Sequence, residues 1–166
     1  MTAGTARRRK TGAGTIEAGF IFLFLMGILF LLLDLCWGVF CKVSLQHAVR
    51  EGCRYAITSQ VQAGYGHLDS IKRVVRSNAM GFLSSDSDFA KIAVNFYRID
   101  DLQQMTGAGS NAGGNLAVVS VENYSLRPLV PLLRSSSPLT FSVRAADKLE
   151  ASPSGIPPDL NNPPSP

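Results

Sequence analysis

The chain has 166 residues, 46% of them hydrophobic, with 16 basic against 12 acidic side chains and a formal charge of +4. This length leaves about a hundred residues outside the longest apolar run, room for one small domain and too few for a large catalytic core. Arg7, Arg8, Arg9 and Lys10 account for the whole excess of charge; beyond Gly12 the basic and acidic side chains balance at 12 against 12. The basic character therefore belongs to the N-terminal segment, and no nucleic acid is an expected partner.

After the basic run a single acid, Glu17, precedes an apolar stretch in which every residue from Ala18 to Leu33 is apolar or Gly. Apolar character resumes after Asp34 and continues to Cys41. As a helix this segment spans roughly 36 Å, enough for a hydrocarbon core about 30 Å thick, so a transmembrane helix in contact with membrane lipid is expected. The cations before Glu17 set its direction by the positive-inside bias, with the N-terminus cytoplasmic. A secretory signal peptide fits poorly, because the apolar run is too long and lacks a small-residue cleavage site beyond it. Leu33-Asp34-Leu35-Cys36 is likewise no lipoprotein signal, because a charge stands where the region before the Cys is neutral.

The helix is expected to continue past the membrane as a stalk, since Lys42 to Val61 contains no Pro and Leu45, Val49, Cys53, Ile57 and Val61 recur at helical spacing. Ala48, Gly52 and Ala56 form a small-residue stripe on that stalk, a surface that another helix can approach closely. Cys36, Cys41 and Cys53 show no metal-ligand spacing and read as small buried hydrophobes. Tyr65-Gly66-His67 marks a break. Beyond it Leu68, Ile71, Val75, Ala79 and Phe82 predict a short amphipathic helix whose Lys72, Arg73 and Arg76 face solvent.

The period then changes to two. Ile92, Val94 and Phe96 alternate with Ala93, Asn95 and Tyr97; a second strand is expected over Leu116 to Tyr124 and a third over Leu139 to Ala146. The Gly-rich stretch Met105 to Gly114 is read as the loop between the first two strands and, with no GK[ST] signature, holds no phosphate. Pro128 and Pro131 punctuate the connection between the second and third. From Ala151 the Pro, Ser and Asn content predicts a disordered tail. The expected class is thus α+β: a long N-terminal helix, a short helix and a small three-stranded antiparallel sheet.

No catalytic constellation emerges. His47 and His67 lie apart without a carboxylate at motif spacing, and Asp86-Ser87-Asp88 and Asp100-Asp101 read as caps or solvated loops rather than acid–base dyads. Neither an enzyme nor a cofactor or metal site is expected.

Gly12, Glu17 five positions later and the apolar helix beyond resemble the type IV prepilin class. Within it the chain is most similar to TadE-like minor pseudopilins of the tight-adherence (Flp) pilus system. The resemblance rests on the acid-led helix, Asp34 near its end and Arg50-Glu51-Gly52-Cys53-Arg54-Tyr55-Ala56, similar to the family's REGARYA stretch. Ala18 replaces a commonly aromatic residue, and Asp34-Leu35 the usual Asp-Phe.

The resemblance implies cleavage between Gly12 and Ala13 by a prepilin peptidase. It also implies partners: other pseudopilins and a Flp-type pilin, and the pilus assembly platform and its ATPase. The corresponding divisions are 1–12 as leader, 13–41 as transmembrane helix, 42–61 as stalk, 62–150 as extracytoplasmic head and 151–166 as tail, in the inner (cytoplasmic) membrane. Glu17 is expected to pair with the new amine of Ala13 on an adjacent subunit, which compensates a carboxylate that is costly near lipid. Asp34 lies about 25 Å farther along the helix and is expected at the far interface beside Trp37, or in an interhelical polar contact. The rival expectation is an uncleaved single-pass adaptor or structural protein of a secretion system.

Overall fold

A computed structural model describes residues 10–130 and 138–163. The leader up to Arg9, Pro131 and the last three residues of the tail lie outside these.

Helix α1 runs without a Pro from Lys10 to Ile57, 48 residues, about 72 Å at 1.5 Å per residue. From Phe20 to Leu33 its large apolar side chains are exposed, apart from a half-buried Met26. From Cys41 onward one face is covered: Cys41, Ser44, Leu45, Ala48, Val49, Gly52, Cys53 and Ala56 are buried. These positions follow the three-and-four spacing of a core-facing stripe. The helix stops four residues short of the expected Val61. Ser59 takes a left-handed φ of 52°, and its N–H donates to the Ala56 carbonyl at 3.2 Å, closing the last turn.

Helix α2 spans His67–Asn78 and buries Ile71 and Val75 against α1. A one-turn helix, α3 (Asp86–Phe89), follows; its cap is Ser85, which accepts the Asp88 N–H at 3.2 Å, rather than one of the acids Asp86 and Asp88. Strands β1 (Ile92–Tyr97), β2 (Gln104–Met105), β3 (Leu116–Ser125) and β4 (Thr140–Lys148) form one antiparallel sheet in the order β2-β1-β3-β4. The sheet thus has four strands among the described residues, not the expected three. Met105, expected in a loop, belongs to the additional strand. That strand has two residues, too few for a period-two alternation to be visible, and it exists because the turn after Arg98 folds Gln104 and Met105 back beside Tyr97 and Phe96.

Ile92, Phe96, Ala117, Val119, Val121 and Val143 fill the core between sheet and helices. Between Val121 and Tyr124 the register shifts: three residues of β3 are spanned by two of β4, Val143 to Phe141. This bulge moves Tyr124 onto the inward face, where its ring meets Phe141 at 5.6 Å between centroids.

The tail has no helix or strand over 151–163, yet it is not detached from the head. Its Leu160 is buried in the core. The Asp159 and Leu160 carbonyls accept the His67 and Leu68 N–H groups at 3.0 Å each.

Candidate functional site

The expected site residues fall into three separate places on α1. Gly12 and Glu17 are exposed near its start, in continuous helix that includes the Gly12–Ala13 bond. Among the described residues no cation lies within ion-pair distance of Glu17.

Asp34, about 25 Å farther along, has partners within its own chain. Its Oδ1 accepts the N–H groups of Leu129 at 2.7 Å and Val130 at 3.2 Å. One turn on, the Trp37 indole N–H donates to the Arg127 carbonyl at 3.2 Å. Gly38 completes the seat: a Cβ there would stand 3.2 Å from Leu126 Cδ2. The connection after β3 is therefore pinned along α1 from Asp34 to Gly38, within about one turn of the level at which Trp37 meets Phe82 of the head. Trp37, Phe40, Phe82, Tyr124 and Phe141 form a chain of ring contacts at this end of the head, with centroids 5.6–6.4 Å apart. Backbone donors of its own chain occupy one oxygen of Asp34, while Oδ2 is buried with no hydrogen-bond partner among the described residues.

The stripe Ala48, Gly52 and Ala56 is buried. The helix that approaches closely there is the chain's own α2: a Cβ on Gly52 would overlap Val75 Cγ2. Cys53 lies beside it, its thiol directed at the Ala117 carbonyl at 3.8 Å. Burial, reinforced by the Asp147 charge, pushes the thiol up to about 11, so Cys53 is an inert core residue rather than an exposed cross-linking thiol.

The sequence reading missed the partner of Asp34. The available signal was Leu126-Arg127-Pro128-Leu129-Val130, an apolar run in a connection, where polar residues are usual. A second missed feature is the buried pair His67–Asn111. Asn111 donates its amide to His67 Nδ1 at 2.9 Å and to the Pro158 carbonyl at 2.8 Å. His67 stacks on Phe96, and burial lowers its pKa to about 4. Among the described residues no group of three or more His, Cys, Asp or Glu side chains could hold a metal.

Residues 12–54 match the model of the TadE-like protein family. Over this segment the chain is TadE-like. The TadE-like segment starts at Gly12, takes in Glu17, Asp34 and most of the REGARYA-like stretch, and ends just before the end of α1. No curated protein and no solved structure matches the chain. A TadE-like segment implies a component associated with the tight-adherence pilus, and its one long apolar helix fits a single-pass membrane protein.

Proposed function

We propose that this chain is a minor pseudopilin supporting assembly of a tight-adherence pilus. A prepilin peptidase removes the leader between Gly12 and Ala13, and the mature subunit stays in the inner membrane or enters the fibre with its head extracytoplasmic. Its role is structural, not catalytic. Its partners are sister pseudopilins, a Flp-type pilin, and the assembly platform with its ATPase.

The observation that carries this reading is the extent of the TadE-like segment, which begins at the Gly of the proposed cleavage site and includes Glu17. The exposure of Glu17 supports it as well. A carboxylate at the edge of an apolar rod, without an ion-pair partner among the described residues, is suited to an amine supplied by an adjacent mature subunit. Mass spectrometry of the protein from cells containing the peptidase tests the cleavage: a mature chain beginning at Ala13 is expected. A chain that keeps its leader in those cells contradicts the proposal and leaves the uncleaved adaptor.

A further inference from the structure

We propose that the described flanks of the connection between β3 and β4, residues 126–130 and 138–139, are a second membrane-contacting element. Leu126, Pro128, Leu129 and Leu139 sit among the acyl chains of the outer leaflet, and Asp34 is the positioning residue that holds them there. This rests on the single-pass reading above.

Depth carries the argument. With Glu17 at the inner boundary, a hydrocarbon core about 30 Å thick ends near Trp37, about 20 residues on. Asp34 lies one turn inside that boundary, and the segment bonded to it lies at the same level. Leu129 is 53% exposed and Leu139 72%. In water each of these exposed aliphatic side chains is unfavourable; in lipid it is not.

Backbone chemistry agrees. Irregular backbone at membrane depth is tolerated only where its polar groups are satisfied. Here the Leu129 and Val130 N–H groups are taken by Asp34 Oδ1, and the Arg127 carbonyl by the Trp37 indole. Asp34 thus supplies what water cannot supply at this level. Between the connection and α1 runs a groove of about 520 Å³, lined by Leu31, Leu35 and Val39 on one side and Leu126, Pro128 and Leu139 on the other. Its walls are mostly apolar, Asp34 lines it as well and Lys42 stands at its upper end; Arg127, between the lining residues Leu126 and Pro128 in sequence, is exposed. Apolar walls below and cations above match a phospholipid, tails in the groove and phosphate toward the cations.

The test uses the full-length protein in phosphatidylcholine–phosphatidylglycerol vesicles, with Cys36, Cys41 and Cys53 changed to Ala and one nitroxide on Cys introduced at position 25, 102 or 129. Relaxation by oxygen against a water-soluble nickel chelate reads depth. Leu25→Cys, in mid-helix, should be oxygen-accessible, and Leu102→Cys, on the turn after β1, nickel-accessible. Leu129→Cys should show an oxygen-to-nickel ratio severalfold above that of position 102. An aqueous reading at position 25 overturns the membrane reading itself. With position 25 deep, an aqueous reading at 129, or shielding from both reagents by a second protein chain, overturns this proposal alone. Asp34→Leu should make the label at 129 mobile and aqueous without moving that at 25, while Asp34→Asn, which keeps an acceptor oxygen, restores it. An unchanged label at 129 in Asp34→Leu removes the positioning role.

Discussion

Gly52 of α1 and Val75 of α2 meet with no room for a methyl group between them. A Cβ on Gly52 would overlap Val75 Cγ2 and lie 3.6 Å from Val119 Cγ1. Gly52→Ala should gain about 1 kcal/mol of helix propensity. It must also displace a buried, β-branched neighbour, an overpacking cost of about 1–3 kcal/mol. The expected net effect is a loss of about 1 kcal/mol in thermal unfolding of the full-length protein in detergent. Trimming the neighbour should restore part of it, so Gly52→Ala with Val75→Ala should be more stable than the two separate losses predict. A Gly52→Ala protein as stable as the parent contradicts this account of the stripe.

The tail caps α2 from outside. Gly66 precedes the helix and offers no side-chain cap, so the His67 and Leu68 N–H groups depend on the Asp159 and Leu160 carbonyls. A Cβ at Gly66 would stand 2.6 Å from the Leu160 carbonyl oxygen. Gly66→Ala should therefore expel the tail. Loss of protection at the His67 and Leu68 amides in hydrogen exchange is the measurement, and Leu160→Ala should do the same at a cost of about 2 kcal/mol. Gly64→Ala is the contrast: no atom of the protein blocks a Cβ there, although its φ of 82° strains any side chain. It should destabilise the turn without releasing the tail.

His67 should make the head sensitive to mild acid. Burial lowers its pKa from 6.5 to about 4. Between these values the unfolded chain takes up a proton that the folded chain refuses. The stabilisation is complete above about pH 6.5 and is lost progressively toward pH 4, by on the order of 3 kcal/mol. Melting temperatures across this range should fall more steeply for the parent than for His67→Gln. Parallel curves would mean that His67 is not held neutral.

Much of this architecture was legible because burial repeats. The spacing of Leu45, Val49 and Cys53 announces the covered face of α1, and Ile92, Val94 and Phe96 announce β1. Ala117, Val119 and Val121 point inward in β3, the side set apart by their alternation. What was not legible depends on single long-range contacts. β2 has no period of its own; Leu160 is one apolar residue in a Pro-rich tail, and nothing local distinguishes it from Ile156, which is exposed. Asp34 illustrates the same limit at the site. Its place in an apolar helix signals that it needs partners, but these come from the Leu129 and Val130 backbone, 95 and 96 residues away. Backbone donors show only indirectly in side-chain identity, here as the apolar run from Leu126 to Val130 in a connection.

Glu17 and Asp34 should consequently fail in different ways when changed. Asp34 has donors within the subunit, so its loss should alter the head's seat on α1 before any assembly occurs. Glu17 has no ion-pair partner among the described residues, and on the proposed reading its partner is the Ala13 amine of a neighbour. Glu17→Ala should be cleaved at the normal rate and keep the parent's melting temperature, yet recover less pilin on co-purification. Leaving one charge of a poorly solvated pair uncompensated costs about 3 kcal/mol, equivalent to about a hundredfold in association. Glu17→Asp keeps the charge but retracts it by one methylene, so it should fall between. Normal pilus output from cells producing only Glu17→Ala would show that the carboxylate marks the membrane boundary and pairs with nothing.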